Sequence, residues 1–468
     1  MVFSSLVFIF VFLPITIAAY YIAPKSLRNV FLLIASLVFY AWGEPVYIVL
    51  MVFSILVSYT GGLLIDSYRK RRLIAQIFFI TAMVINLGLL CFFKYYGFIL
   101  ANINHLTSLH MASAALPLPL GISFYTFQSI SYLIDIYRGK VPVQKNIITF
   151  GMYKSMFPQL VAGPIVKYVD IFQELDRRNE SLGLFGEGAE LFIIGLAKKV
   201  LLANNIALLW KTINAMPMGE LSVLSAWLGI VAFTFQIYFD FSGYTDMALG
   251  LGKMLGFHLP QNFNYPYVSR TVTEFWRRWH ISLGSWFREY VYIPLGGNRE
   301  GLVKQLRNLI VVWFLTGLWH GASWNFVLWG LYFGAFVTAE KLFLIRWLEH
   351  RPRWLGHIYT MLVVMVGWVL FEYESLGQAA RFIGRLFGYG SPALWDGNGL
   401  YYLYTNGVLL LVLALCSTPL AGALSRTVAR RLGTASAVVI PVVYMGLLLL
   451  CTAYLVNESY NPFLYFRF

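Results

Sequence analysis

Charged residues are scarce in this chain. Of its 468 residues, 12% are charged and 59% are hydrophobic, whereas soluble domains carry about 25% charged residues. The apolar residues form blocks of roughly the 20 residues that a membrane-spanning helix needs. The composition therefore excludes an ordinary soluble domain. It predicts an all-α polytopic integral membrane protein.

Cysteine is also rare, and the patterns of metal and dinucleotide sites are missing. Cys91, Cys416 and Cys451 are scattered in apolar runs, so neither a zinc site nor a disulfide framework is indicated. The glycines at 250–256 do not form a dinucleotide fingerprint, because no strand precedes them and their spacing is wrong. Close helix packing explains them better. We expect no metal and no permanently bound cofactor.

The positive charge indicates a topology. The net charge of +14 is typical of basic cytoplasmic loops beside anionic membrane lipid, so we expect no nucleic acid partner. Placing the densest basic cluster, at 69–72, inside the cell puts the N-terminus outside. Basic groups at 341–353 and 426–431 also fall on the cytoplasmic side, so the basic clusters alternate consistently along the chain. This predicts about eleven crossings with both termini outside.

The spans expected from this reasoning begin with residues 2–21. We expect this first span to be retained, because no basic segment or small-residue cleavage site precedes Pro24. His105 and His110 are expected in a polar loop at 102–113. The further expected spans are residues 30–42, 46–65, 73–100, 122–137, 191–210, 221–238, 327–343, 358–371, 407–424 and 438–456.

The expected helix over 122–137 carries one polar stripe. Tyr125, Gln128, Ser131 and Asp135 recur at three to four residues on an otherwise apolar helix. The stripe indicates either hydrogen bonds between helices or a water-exposed lining of a central cavity. Both interpretations remain open.

Four shorter features interrupt the apolar pattern. Proline and glycine at 158–164 indicate a re-entrant or bent element, which is tolerated only where protein or a cavity covers it. The lysine pair at 198–199 is expected to snorkel to an interface, or else to meet a phosphate. Asp240 and Asp246 lie on different faces of one helix, so they are not expected to act as an acid/base pair. The amphipathic pattern at 379–387 predicts a short interfacial helix.

Residues 275–329 hold the strongest functional candidates. His280 follows two arginines and two tryptophans, which is typical of a membrane interface. His320 follows an apolar run at 309–318, and an ionisable side chain at that depth is a functional candidate. Histidine exchanges protons near neutral pH. On residue chemistry alone, a catalytic base and a cross-helix hydrogen bond are equally good explanations of His320.

An ordered set of motifs extends over nearly the whole chain. The set comprises LGISFY at 120–125, FPQLVAGP at 157–164, FDFSGYTD at 239–246, WRRWH at 276–280, LGGNR at 295–299, WHG at 319–321 and NPF at 461–463. In order and spacing it resembles the membrane-bound O-acyltransferase family. The match is closest to the bacterial branch that serves O-acetylation of alginate.

The resemblance implies a fold and a site. It implies one transmembrane domain over 1–468, with N-terminal helices at 1–113, a catalytic core at 114–345 and C-terminal helices at 346–468. Re-entrant and interfacial helices would surround a central catalytic cavity. His320 matches the family's essential histidine, and His280 matches a second one on the cytoplasmic side. The expected substrate- or donor-binding residues are Arg278, Trp319, Asp240, Tyr125 and Gln128.

The resemblance also implies a reaction in the bacterial cytoplasmic (inner) membrane. An acetyl group would leave an acetyl-CoA-type thioester on the cytoplasmic side. It would pass to a periplasmic or extracellular acetyltransferase partner that modifies an exported polysaccharide such as alginate. D-alanyl transfer to teichoic acid is an alternative. A transporter or flippase would also suit broken helices, but no paired inverted halves are visible in the sequence.

Overall fold

The computed structural model describes residues 1–107, 111, 117–160 and 163–457. Over these ranges the chain is helical and contains no strand. His110, the motif at 461–463 and the C-terminal end that we expected outside the cell lie beyond the described residues. His105 lies in the last turn of a helix that ends at Thr107, so the predicted loop at 102–113 was wrong over its first residues.

Nine helical segments in the described residues are long and apolar enough to cross a bilayer. They confirm a multi-pass membrane protein. They are fewer than the roughly eleven crossings expected, partly because residues 2–21 give only a shorter apolar helix, Phe8–Ile22. The nine segments are Lys25–Gly43, Ile48–Ser67, Arg72–Thr107, Leu182–Asn214, Val223–Met254, Trp324–Glu349, Arg353–Glu372, Gly397–Cys416 and Leu420–Asn457.

The first of two compact units contains residues 1–192 and 244–261. Its helices are α1 (Leu13–Ile22), α2 (Arg28–Gly43), α3 (Ile48–Ser67), α4 (Arg72–Thr107), α5 (Ile122–Tyr137), α6 (Ile147–Ser155), α7 (Phe157–Leu160) and α8 (Tyr168–Asp176). The bounds of α5 confirm the predicted helix. The four-residue α7 is buried and lies in the segment where proline and glycine predicted a break.

Two long helices contribute residues to both units: α9 (Leu182–Ala197) and α11 (Val223–Met254). The second unit contains residues 193–243 and the chain from Asn262 onward. Its other helices are α10 (Asn204–Asn214), α12 (Val272–Arg278), α13 (Ile281–Phe287), α14 (Leu302–His320), α15 (Trp324–Ala339), α16 (Ile345–Glu349), α17 (Arg353–Glu372), α18 (Leu376–Leu386), α19 (Gly397–Cys416), α20 (Leu420–Leu432) and α21 (Ser436–Asn457). The expected division at 113 and 345 stays a prediction.

Glycines set the spacing of α14 and α15. A Cβ built on Gly330 would lie 3.0 Å from the Cα of Gly317, so the two backbones touch. Small residues at such a crossing let helices in a membrane approach closely. This close contact with α15 positions the C-terminal end of α14. His320 is the last helical residue there, before extended Gly321.

Candidate active site

His320 lies in an aromatic cage. Its ring centroid is 5.0 Å from that of Trp319, 4.9 Å from that of Trp329 and 5.4 Å from that of Phe371. The side chain is 6% exposed. Packing of α14 against α15 and α17 therefore surrounds the imidazole with rings that exclude bulk water.

His280 lies between α12 and α13 in a left-handed backbone conformation, with φ 47° and ψ 52°. For a residue other than glycine this conformation is strained, and such strain clusters at functional sites. The imidazole is 2% exposed, whereas its neighbour Arg277 is exposed. The arginine thus suits the interface predicted here, while the histidine is turned into the second unit.

Asn262 fixes the orientation and tautomer of His280. Its Oδ1 lies 3.1 Å from the His280 Nδ1 and also accepts the Ser282 hydroxyl at 2.9 Å. An amide oxygen only accepts, so the Nδ1 atom of His280 carries the proton. Burial lowers the pKa of His280, which lies outside the nine candidate spans, so its imidazole is neutral near pH 7.

The two histidines contact the same indole, that of Trp319. The ring centroids of His280 and Trp319 are 5.9 Å apart, and those of Trp319 and His320 are 5.0 Å apart. Phe241 of α11 also packs against His280, with 4.9 Å between ring centroids. The structure therefore brings together three residues that the sequence analysis singled out separately.

Arg278 stabilises the loop that contains Asn262. Its guanidinium forms an ion pair with Glu274 at 3.0 Å and donates to the Asn264 carbonyl at 3.1 Å. The Asn264 amide donates back to the Arg278 carbonyl at 2.9 Å. These bonds give Arg278 a structural task beside His280, in addition to the donor binding expected from the resemblance.

Asp240 forms a buried ion pair with Lys199, with 2.6 Å between Oδ1 and Nζ. Both side chains are almost fully inaccessible. The preferred prediction that Lys199 snorkels to an interface was therefore wrong, because its ammonium has a carboxylate partner inside the second unit. Removal of one member of such a pair leaves an uncompensated buried charge.

Tyr125 and Gln128 lie in the first unit, where the whole polar stripe of α5 is buried. The Ser131 hydroxyl donates to the Gln128 carbonyl at 2.9 Å. The Lys154 ammonium lies 5.8 Å from the Tyr125 ring centroid and donates to the Ser54 hydroxyl. These contacts are those of a helix bundle held by internal hydrogen bonds.

The structure adds two residues that sequence reasoning did not assign to the chemistry. Asn262 orients His280. The sequence indicates it only as a polar residue in the loop before the WRRWH motif. Trp329 forms part of the cage around His320. Within the described part of the chain its indole N–H has no hydrogen-bond partner. Trp324 is 55% exposed, so it does not wall this cage.

No group of three His, Cys, Asp or Glu side chains in the described ranges could hold a metal ion. The site itself offers two imidazoles, nearby indole rings and the hydrogen bonds that orient them. A neutral imidazole can take a proton from a hydroxyl group, and an enclosed apolar cage can protect a reactive ester from water.

Comparison with known proteins agrees with this chemistry. The model of the membrane-bound O-acyltransferase family matches residues 140–376. The chain is 42% identical over 402 residues to the probable alginate O-acetylase AlgI of Azotobacter vinelandii, covering 85% of this chain and 80% of the relative. It is 38% identical over 490 residues to the Pseudomonas putida protein of the same name, covering all of both chains.

A Helicobacter pylori peptidoglycan O-acetyltransferase is 35% identical over 434 residues, covering 84% of this chain and 81% of the relative. Teichoic acid D-alanyltransferases also match, at lower identity. The family match covers half of the chain, and high identity to these relatives extends over most of it. The chain is an acyltransferase and belongs to the membrane-bound O-acyltransferase family.

Proposed function

We propose that this protein moves acetyl groups from a cytoplasmic acetyl-CoA-type thioester for O-acetylation of an exported polysaccharide such as alginate. The observation that carries the proposal is the contact of both His280 and His320 with the Trp319 indole. Transfer from a thioester to a hydroxyl needs a base and an enclosed site, because water would otherwise hydrolyse the donor. The two imidazoles and the aromatic cage around His320 support the proposal on both points.

In the proposed step, the His320 imidazole takes the proton of the acceptor hydroxyl. The hydroxyl oxygen then bonds to the thioester carbonyl carbon, the carbon–sulfur bond breaks, and the leaving thiolate takes up the proton. The indole N–H of Trp329 is suited to donate to the carbonyl oxygen as charge develops on it. His280, neutral and held by Asn262, would position the donor from the cytoplasmic side. A covalent acyl-histidine is the alternative route through the same residue.

The location and partner belong to the same proposal. We infer a bacterial inner membrane, with the thioester taken inside and the acetyl group delivered outside to a periplasmic or extracellular acetyltransferase. The names of the relatives support this inference, since alginate and peptidoglycan both lie outside the inner membrane. D-alanyl transfer is less well supported because the D-alanyltransferases are more distant relatives. Membership of an acyltransferase family disfavours the transporter alternative.

The test compares His320→Gln with His320→Ala in purified protein supplied with acetyl-CoA. Glutamine keeps hydrogen-bonding capacity but cannot accept a proton near neutral pH. We expect both variants to lose about 10²- to 10⁴-fold in the rate of thiol release and acetyl transfer, the usual contribution of a general base. His350→Gln is the matched control, because His350 is exposed. An active His320→Gln variant would refute the catalytic role.

A further inference from the structure

A groove with a volume of about 660 Å³ lies on the second unit. Its walls come from α11, the segment at 267–270, α17 and the residues that join α19 to α20. The cage around His320 includes Trp319, Trp329 and Phe371, and none of these residues lines the groove. The proposed reaction therefore does not account for this cavity.

One end of the groove is cationic. A Cβ on Gly356 would lie 2.8 Å from the Arg270 carbonyl oxygen, so the Arg270 backbone packs against α17 one turn from Arg353. The Nδ1 atom of His357 is 3.2 Å from the Ser269 carbonyl oxygen and holds the same segment on the helix. Arg270, Arg353 and His357 all line this end.

Within the part of the chain that the structure describes, the two arginines at this end have no carboxylate partner. In the described ranges, neither the Arg270 nor the Arg353 guanidinium forms an ion pair with a carboxylate. Glu274, four residues after Arg270, accepts the Arg270 backbone N–H at 2.9 Å and pairs with Arg278. The Glu340 carboxylate near the same segment accepts two backbone N–H groups of α12. Two guanidinium groups are therefore available to an anion at the mouth of the groove.

The rest of the groove is mainly apolar. Met361 and Met365 follow Arg353 and His357 at steps of four residues, so all four line one face of α17. From Arg353 to Met365 this face extends about 18 Å at 1.5 Å per residue. That length is close to the depth of one leaflet, half of a hydrocarbon core about 30 Å thick.

Trp354 marks the level of the cationic end in the membrane. Its side chain is 63% exposed and also lines the groove. Exposed tryptophans of membrane proteins collect at the headgroup level. The arginines beside Trp354 therefore lie where lipid phosphates lie, and the methionines lie where acyl chains lie.

We propose that this groove binds one anionic glycerophospholipid. Its phosphate lies between Arg270 and Arg353, and one acyl chain extends along Met361 and Met365. Arginine binds phosphate through paired hydrogen bonds in a fixed geometry. A free phosphate or a soluble nucleotide would use only the cationic end, whereas a lipid from one leaflet matches both the charge and the apolar length.

The test measures lipid retained by the purified full chain in native mass spectrometry. The protein is equilibrated with phosphatidylglycerol and phosphatidylcholine of identical acyl chains. We expect preferential retention of phosphatidylglycerol. The double variant Arg270→Gln/Arg353→Gln should reduce that preference about tenfold or more, where tenfold corresponds to about 1.4 kcal/mol. Arg346→Gln/Arg351→Gln is the matched control, because both arginines are exposed nearby and neither lines the groove.

Three outcomes would overturn the proposal. The first is equal retention of the two lipids by the wild-type protein. The second is an equal loss in the control variant, which would indicate a general effect of surface charge. The third is displacement of the bound lipid by glycerophosphate or coenzyme A as effectively as by intact phosphatidylglycerol, which would identify a soluble phosphate ligand. Acetyl transfer is measured in parallel, so failure of the lipid site can be distinguished from failure of the proposed reaction.

Discussion

Substitution of Gly317 by alanine tests whether the α14–α15 crossing positions His320. Gly317 lies three residues before His320 on α14. A Cβ at this position would approach the Phe326 carbonyl oxygen of α15 closer than 3.0 Å, a separation that real Cβ atoms essentially never show. The obstacle is backbone rather than a flexible side chain, so the helices themselves must separate.

The expected size of the effect follows from that overlap. Relief of the clash requires a displacement on the order of 1 Å, and a misplacement of about 1 Å can reduce a catalytic rate by about 10²-fold. The cost in stability should be smaller, about 1–3 kcal/mol for an overpacked interior. We therefore expect Gly317→Ala to fold and to lose about 10²-fold in acetyl transfer.

The assay measures acetyl transfer from acetyl-CoA at equal amounts of monodisperse protein in detergent. Gly407→Ala is the matched control, because Gly407 is also helical and no neighbouring atom lies within 4 Å of a Cβ there. It should be neutral or slightly stabilising, since alanine is the better helix former. Wild-type transfer in folded Gly317→Ala would show that the crossing does not position the reaction centre.

Three further predictions rest on other parts of the chain. His280→Ala should lower acetyl transfer at unchanged expression, and full activity would reduce His280 to a structural residue. Asp240→Asn should destabilise the protein by about 3–5 kcal/mol, because it leaves the Lys199 ammonium buried without its carboxylate; an unchanged thermal unfolding midpoint would contradict this. A reporter fused after Arg72 should be cytoplasmic and one fused at Phe468 outside, so finding both on one side would overturn the predicted topology.

The sequence by itself determined the class of protein and its strongest candidate residue. Long apolar runs predict membrane helices because each run must satisfy its own backbone hydrogen bonds in lipid. The helix at Ile122–Tyr137 was predicted in full for this reason. His320 stood out because an ionisable side chain after an apolar run is rare without a function. These are local properties, which neighbouring residues in the chain display directly.

Only the tertiary structure decided which distant residues meet. His280 and His320 both contact Trp319, although forty residues separate the two histidines in the chain. Asn262 orients His280 from a loop before α12. Lys199 pairs with Asp240 instead of snorkelling. Such contacts depend on how helices cross, and the crossing depends on glycines and side-chain shape rather than on the local hydrophobic pattern. For this reason periodicity located the helices, but the assembled site became visible only in the fold.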